Sequence, residues 1–98
     1  QILQENKDGT ISNLYRMKII NKSGLSQPFK LIPSDPELKL HFVGKQEDSI
    51  PGKSQNEYMF FINKSTEDIK TRKELFKLKI MSGPKVMHNV KLPFIGEN

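Results

Sequence analysis

Alternation of apolar and polar residues is the strongest pattern along the chain, and it predicts β-strands. Near the start, Tyr15, Met17 and Ile19 fall on one face of an extended strand, while Arg16 and Lys18 fall on the other. The first face is apolar enough to be buried, and the two cations of the second face should stay in water. The pattern therefore predicts a half-buried antiparallel strand with one face in a core.

The same alternation recurs and predicts six or seven short strands in all. The other predicted strands cover residues 29–32, 38–43, 58–62, 75–80 and 85–94, and Ile2 and Leu3 add an edge strand. Their predicted inward residues are Leu38, Leu40, Phe42, Tyr58, Phe60, Ile62, Phe76, Leu78, Ile80, Val90, Leu92 and Phe94. Turn-forming residues separate the strands at 8–9, 21–24, 34–36, 49–54 and 82–84. The one helical candidate is residues 65–73, with Ser65 or Thr66 as its N-cap; a polar loop is the alternative there.

Short strands at regular spacing in 98 residues predict a single domain, residues 1–98, with an all-β fold. The predicted architecture is an antiparallel immunoglobulin-like β-sandwich of about seven strands, and a closed barrel is the alternative. The chain has neither Cys nor Trp, so it lacks the disulfide and the buried tryptophan of antibody domains. "Immunoglobulin-like" therefore describes the architecture alone.

The amino-acid composition and the net charge exclude or disfavour several kinds of functional site. The absence of cysteine excludes disulfides, Cys-type zinc sites, iron–sulfur ligation and thiol catalysis within this chain. No apolar run reaches the roughly 18 residues of a transmembrane helix. The chain begins with Gln1 rather than Met, so we expect a fragment or a processed chain. The net charge is +5, but lysines such as Lys77 and Lys79 alternate with apolar residues, which favours a solvated basic face over a nucleic-acid or phospholipid site.

Methionine and histidine are the residues to examine for metal binding, because thioether and imidazole groups suit copper ions. The candidates are Met87, His88 and His41. Met87 and His88 are neighbours on a predicted strand and should point to opposite faces, so they would share an ion only if a bulge intervened. His41 lies opposite the predicted inward face and is expected to be exposed. The sequence therefore predicts no metal site.

No catalytic residue is predicted. Ser23, Ser54 and Ser65 lie in predicted turns, where a hydroxyl usually bonds the backbone. Glu67 and Asp68 lie in a charged, solvated segment rather than in an apolar pocket that would shift a carboxyl pKa. The chain is accordingly expected not to be an enzyme.

Three segments carry a resemblance to a known family. DGTISNLYRMKIINKS (residues 8–23), IPGKS (50–54) and LPFIG (92–96) resemble the C-terminal domain of FixG/CcoG proteins, which are bacterial cytochrome c oxidase accessory proteins. The resemblance spans nearly the whole chain in order. Glu97 departs from it, because the family usually has proline at that position.

The resemblance implies an immunoglobulin-like domain appended to a membrane protein, on the periplasmic face of the bacterial inner membrane. Family members carry several transmembrane helices and ferredoxin-like cysteine motifs that bind 4Fe–4S clusters, and they are linked to copper handling during oxidase assembly. By this resemblance, the clusters and the membrane attachment belong to the part of the parent protein outside this chain, and the domain itself holds no cofactor.

The sequence thus favours a non-catalytic interaction or scaffolding domain. Its expected partner is a protein, either the rest of the parent or an oxidase assembly factor, with docking through exposed strand edges. One alternative is a copper-binding domain with Met and His ligands. The other is a stand-alone secreted or surface adhesion module that merely shares the sandwich.

Overall fold

The computed structural model describes residues 2–96, apart from the side chain of Ile2, and the chain is an antiparallel β-sandwich. The strands are β1 (Ile2–Glu5), β2 (Thr10–Asn21), β3 (Gln27–Pro28), β4 (Lys30–Pro33), β5 (His41–Phe42), β6 (Ser49–Ile50), β7 (Ser54–Ser65), β8 (Lys73–Ser82) and β9 (Lys85–Ile95). The all-β prediction is confirmed. Gln1, Glu97 and Asn98, which belong to the predicted domain, lie outside the described residues.

Two main sheets form the sandwich. One has the strand order β1-β2-β7-β5 and the other has the order β4-β8-β9, while β3 and β6 form a short ribbon. β2 and β7 pair along their full lengths, from Thr10 opposite Ser65 to Asn21 opposite Ser54. No strand pairing joins the two main sheets within residues 2–96, so the closed-barrel alternative is wrong.

The core lies between the sheets and is built from the inward positions of the alternating strands. The buried side chains are Ile11, Tyr15, Ile19, Leu31, Ile50, Tyr58, Phe60, Ile62, Leu78, Ile80 and Phe94. Phe60 is at the centre: its ring stacks on Tyr15 with centroids 5.3 Å apart and contacts Phe42 at 5.7 Å. Burying an aromatic or branched side chain of this kind stabilises the fold by about 1.5–3 kcal/mol. Arg16 and Lys18 are exposed, as the alternation predicted.

The strand predicted over residues 38–43 is shorter than expected. Leu38, Leu40 and Phe42 pack against the core as predicted, but only His41 and Phe42 form strand pairs. The Leu38 N–H donates to the Asp35 carbonyl at 3.1 Å. This turn occupies the first part of the segment, and a residue in a turn cannot also extend a ladder.

The turn predicted over residues 49–54 contains part of the core. Ile50 is fully buried and forms β6 with Ser49. The turn then packs against the loop after β2, because a Cβ atom at Gly52 would lie 2.5 Å from the backbone carbon and oxygen of Gly24. The turn-forming residues were identified correctly, but they gave no indication that Ile50 is buried.

Two further turn predictions can be compared with the structure. The β1–β2 turn contains Gly9 at φ +82°, a conformation that favours glycine. The helical candidate is a single 3-10 turn, Thr66–Asp68, and Ser65 is its N-cap, since its hydroxyl accepts from the Glu67 N–H at 3.4 Å. Within residues 2–96, no helix has the length and apolar character needed to cross a membrane.

Candidate interaction site

One end of the sandwich is closed by hydrogen bonds from β2 to β9. Asn13 is completely buried on the inward face of β2. Its amide Nδ2 donates to the Ile95 carbonyl at 2.9 Å, and its Oδ1 accepts from the Ile95 N–H at 2.8 Å. The Tyr15 hydroxyl donates to the Pro93 carbonyl at 2.8 Å. These bonds use side chains of one sheet to satisfy backbone groups at the edge of the other.

Charged and aromatic contacts add to this closure. Lys64 of β7 bonds Glu74 of β8 at 2.7 Å and lies 5.3 Å from the centre of the Phe94 ring. The hydrogen bond from Lys64 holds the pKa of the Glu74 carboxyl below its ordinary value. Burial raises the pKa of the Tyr15 hydroxyl, which keeps it neutral and able to donate.

The opposite end of β2 is organised differently. Asn21 is also buried, but its amide donates to the carbonyls of Leu25, Ile50 and Pro51 at 2.9, 2.8 and 3.2 Å. Its Oδ1 accepts from the Ser23 N–H at 3.1 Å. These bonds join the loop after β2 to β6 and to the turn that follows it, and within residues 2–96 none of them reaches β9.

A groove of about 670 Å³ opens at this end, between residues 18–23 and the start of β9 at Lys85, Met87 and His88. We call it the basic groove. Three lysines line it, Lys18, Lys22 and Lys85, and no acidic residue does. Apolar surface is present as well: Ile20 and Met87 line the groove and are 56% and 41% exposed. Exposed apolar area framed by charge is typical of a binding surface.

Beside this groove, one flank of β2 has no strand neighbour within residues 2–96. β1 pairs with β2 only from Ile11 to Leu14, where Leu14 faces Ile2. Within residues 2–96, no strand pairs with residues 16–20 on that side of β2, although β7 pairs with all of them on the other side. β9 is likewise the last strand of its sheet. The groove is therefore flanked by two sheet edges.

A β-bulge places two of the metal candidates in this groove. Ile80 faces His88 and Met81 faces Val86, so Met87 is an extra residue in β9. A bulge was the condition under which Met87 and His88 could approach one ion, and both side chains line the basic groove. Sequence alternation could not reveal it, because a bulge depends on how the partner strand is paired.

The third metal candidate lies elsewhere. His41 is exposed, as predicted, and its ring stacks on Phe61 with centroids 5.0 Å apart. It borders a separate groove with Asp35 and Asp68. Across the part of the chain that the structure describes, no three His, Cys, Asp or Glu side chains are grouped as a metal site would need. The three candidates do not come together.

Ser23 and Ser65 bond backbone groups with their hydroxyls, whereas Ser54 is the first residue of β7 and not part of the predicted turn. The Ser23 hydroxyl lies 2.8 Å from Asn21 Oδ1 and 2.9 Å from the Leu25 carbonyl oxygen. The Ser65 hydroxyl caps the 3-10 turn. Asn13, in contrast, was not singled out in the sequence, and no local signal marks it, because its bonds join residues 82 positions apart. Its place on the inward face, two residues before Tyr15, is the only available indication.

Comparison with known proteins places the chain in a family. A family model described as the "IG-like fold at C-terminal of FixG" matches residues 1–97, and that description presents FixG as a candidate oxidoreductase. The chain belongs to the family of FixG C-terminal domains. The resemblance noted in the sequence is confirmed. A search of curated proteins found no match.

The structure of a FixG-type relative has the same fold. The crystal structure of a FixG-related protein from Vibrio parahaemolyticus superposes with a TM-score of 0.73 at 16% sequence identity. The match covers 96% of this chain and 90% of that one. At this identity the likeness establishes the fold of the FixG C-terminal domain and nothing about its partners.

Proposed function

We propose that this FixG C-terminal domain is a non-catalytic interaction and scaffolding module of a membrane-bound iron–sulfur protein. It acts on the periplasmic face of the bacterial inner membrane, during cytochrome oxidase assembly and copper handling. Membrane attachment and 4Fe–4S clusters belong to the rest of the parent protein, since this chain has no cysteine to bind a cluster. The partner is a protein, either the rest of the parent or an assembly factor.

The basic groove is the observation that carries this proposal. The basic groove combines exposed apolar residues, Ile20 and Met87, with three lysines. A concave surface with exposed apolar area framed by positive charge suits recognition of another protein.

Deletion of the domain tests the scaffolding role. The codons for residues 2–96 are removed from the parent gene, and assembled oxidase and oxidase activity are measured in isolated membranes. We expect both to fall while the truncated parent stays in the membrane at its normal level. Normal oxidase assembly at that level would refute the proposal.

Site-specific photo-crosslinking tests where a partner contacts the domain. A photoreactive phenylalanine replaces Ile20 in the groove or, as the matched control, Leu75 on the outer face of β8. Both positions are apolar and exposed, at 56% and 64%. We expect a crosslinked protein band from position 20 and none from position 75. Equal labelling from both positions would contradict a specific contact in the groove.

The bulge in β9 favours copper binding as a second candidate function. Met87 and His88 line the same groove and offer a thioether and an imidazole, which suit Cu(I). Titration with Cu(I) under anaerobic conditions, followed by NMR of the methionine methyl groups, tests it. Copper binding predicts a shift of the Met87 methyl signal that His88→Ala abolishes and His41→Ala leaves unchanged. A response that persists in His88→Ala would rule this site out.

A further inference from the structure

The outer face of the β4-β8-β9 sheet is lined by exposed lysines, and we call it the lysine face. All three strands contribute to it, through Lys30, Lys73, Lys77, Lys79 and Lys91. The one acidic residue of these strands, Glu74, turns toward the other sheet, where its carboxylate bonds Lys64 of β7 at 2.7 Å. Alternation along β8 alone indicated a solvated row, because a sequence does not show which strands lie side by side. The fold gathers these charges on one surface.

Two of these lysines face each other directly. Lys77 of β8 is the register partner of Lys91 of β9, and Lys79 lies two residues along β8 on the same face. Like charges at directly opposite positions of antiparallel strands are destabilising. None of the three lysines makes an ion pair within residues 2–96. An anion from outside the chain relieves this repulsion, so the lysine face suits an anionic ligand.

Exposed apolar side chains lie among the lysines. Leu75 is 64% exposed two residues before Lys77, and Ile32 is 41% exposed opposite Lys79. Near an anionic bilayer, lysines are attracted by the negative surface potential, and aliphatic side chains gain by leaving water for the boundary between headgroups and acyl chains. The lysine face therefore offers both kinds of contact that a lipid surface rewards.

The residue types on this face favour lipid over a protein or a nucleic acid. Charged residues are depleted at the core of protein–protein interfaces, and lysine is depleted relative to arginine and aromatic residues. β4, β8 and β9 contain no arginine for paired bonds to phosphate, and their two phenylalanines, Phe76 and Phe94, pack in or against the core, where no base could stack on them. Lysine is a strongly hydrated point charge, which suits an array of headgroups with no fixed geometry.

We propose that the lysine face docks this domain on an anionic bilayer, with Lys77, Lys79 and Lys91 at the lipid phosphates and Leu75 at the boundary with the acyl chains. The contact is peripheral and adds to membrane attachment by the rest of the parent. It uses a different surface from the basic groove, so the domain can lie on lipid and hold a protein partner at the same time. The inference goes beyond the proposed function and does not depend on oxidase assembly.

Vesicle co-sedimentation of the 98-residue chain tests the requirement for anionic lipid. The probe is vesicles of equal parts phosphatidylglycerol and phosphatidylcholine, and vesicles of phosphatidylcholine alone are the neutral control. We expect binding to the anionic vesicles only, and its loss at about 1 M salt, where the screening length is about 3 Å. Glycerol phosphate at the same phosphate concentration should not displace the chain, because one free phosphate cannot engage the separate lysines together.

Two triple variants with the same loss of charge locate the contact. One neutralises the lysine face by Lys77→Gln, Lys79→Gln and Lys91→Gln. The other neutralises exposed lysines elsewhere, by Lys7→Gln, Lys39→Gln and Lys45→Gln. Each lysine close to an anionic surface contributes about fivefold to the partition coefficient, so we expect the first variant to bind on the order of 100-fold more weakly. The second variant should lose no more than about fivefold.

Urea denaturation separates lost binding from lost folding. The lysine-face variant no longer places Lys77 opposite Lys91, so it should be at least as stable as the wild type. Weak binding by a variant that is less stable than the wild type would contradict this account of the like-charge pair.

A tryptophan probe tests which side chain enters the bilayer. The chain has no Trp, so Leu75→Trp introduces a single indole on the lysine face, and Leu25→Trp is the matched control in the loop after β2. Both leucines are exposed, at 64% and 73%. We expect anionic vesicles to shift the fluorescence emission to shorter wavelength at position 75 and to leave it unchanged at position 25. Lipid contact at position 75 yields no crosslinked protein band, which agrees with its use as the control for the groove.

Each other outcome overturns the inference. Equal binding to neutral vesicles would mean that the lysines are not recognised by charge, and equal losses in the two triple variants would assign binding to net charge alone. Binding to polyglutamate or to a DNA duplex, with none to vesicles, would assign the lysine face to a protein or to a nucleic acid. If vesicle binding is absent while domain deletion still impairs oxidase assembly, the scaffolding proposal stands and only the lipid inference is lost.

Discussion

The inward face of β2 carries a buried asparagine near each end, and the two ends are built differently. Asn13 bonds both backbone groups of Ile95 and so fastens one sheet to the other. Asn21 bonds the carbonyls of Leu25, of Ile50 in β6 and of Pro51, and within residues 2–96 none of these bonds reaches β9. The first end is sealed, with β1 covering the flank of β2; the second end carries the basic groove.

This contrast shows that a buried asparagine can join the two sheets or can join neighbouring segments at one end, although Asn13 and Asn21 are both buried. A buried amide must find partners, and the partners available at each end decide the outcome. At the Asn13 end the nearest unsatisfied backbone belongs to an edge strand of the other sheet. At the Asn21 end it belongs to the loop after β2 and to the segment around Ile50, so the amide joins these two segments. The predictions below test this difference from the largest expected effect to the smallest.

Asn13→Leu should have the largest effect. The substitution keeps a similar volume but leaves the Ile95 N–H and C=O without partners, at about 1–3 kcal/mol for each buried group. We expect the free energy of unfolding to fall by about 2–4 kcal/mol, measured by urea denaturation with far-UV circular dichroism. Asn89→Leu, at an exposed position of β9, should change it by no more than about 0.5 kcal/mol. Equal losses of unfolding free energy in the two variants would contradict the structural role of the Asn13 amide.

Asn21→Ala should cost less, about 2 kcal/mol, because water can reach some of the carbonyls that lose a donor. Leu25, for example, is 73% exposed. The loss should also be local. Hydrogen exchange should accelerate first at the amides of Ser23 and Lys53, since Ser23 N–H bonds Asn21 and Lys53 N–H bonds the Ser23 carbonyl. Acceleration across the amides of β9 to the same degree would contradict separate roles for the two ends.

Tyr15→Phe removes the bond from β2 to the Pro93 carbonyl of β9 and should cost about 1 kcal/mol. Tyr58→Phe is the matched control, because the Tyr58 hydroxyl is buried with no partner within the described residues, and its removal should be neutral or slightly stabilising. A loss in Tyr58→Phe as large as in Tyr15→Phe would contradict the role of the Pro93 bond.

Tyr15 also makes the unfolding free energy of the wild-type chain depend on pH. Burial raises the pKa of Tyr15 above its ordinary value of 10.0, so its contribution to stability is complete below about pH 10 and is lost as the pH rises toward the folded-state pKa. Unfolding free energies measured between about pH 9 and 11 should decline less in Tyr15→Phe than in the wild type. Parallel declines would show that the hydroxyl is not buried in solution.

Glu74→Gln tests the ion pair of the sealed end. The hydrogen bond with Lys64 lowers the pKa of Glu74 from its ordinary value of 4.5, so this contribution is present above about pH 4.5 and is lost as the pH falls through the folded-state pKa. Because the pair is partly exposed, we expect a loss of only about 0.5 kcal/mol at pH 7. The difference between variant and wild type should vanish at low pH in urea denaturation. Glu57→Gln, whose side chain makes no ion pair within residues 2–96, should show no such difference at pH 7.

Lys18→Glu should have the smallest effect on stability. Lys18 is exposed beside the groove and makes no ion pair within the described chain, but Glu57 faces it on β7. Lys18→Glu places like charges on these facing residues, so urea denaturation should show a small loss of no more than about 0.5 kcal/mol. A loss of stability well above this would mean that the groove residues support the fold. The Asn13 and Asn21 ends of β2 would then not differ in that respect.

The sandwich itself could be predicted from sequence because its main strands follow strict alternation. In β7, the inward residues Tyr58, Phe60 and Ile62 are all buried as the pattern requires. Alternation reflects the pleat of each strand and needs no knowledge of its neighbours. Where local chemistry gave two signals, the prediction was less accurate, as at Ile50, which is buried inside a turn-forming segment.

The candidate site was less accessible to prediction because it depends on pairing. The groove exists where β1 ceases to cover β2, and Met87 enters it through an unmatched residue in the β8–β9 register. Neither feature changes the alternation of apolar and polar residues in the sequence. Docking through exposed strand edges stays a prediction, and the extent of the β1–β2 pairing, which ends at Leu14 within the described residues, required the register of the sheet.

Two glycines described above limit mutation for opposite reasons, and a substitution library would separate them. Gly9 adopts φ +82° with open space around its Cα, so asparagine, which tolerates that angle, should be accepted there. Gly52 needs no such angle but touches the backbone at Gly24, so every side chain meets the same collision, alanine included. Position 52 should therefore be the less permissive of the two, and any lengthening of one loop at this end would need a matching change in the other.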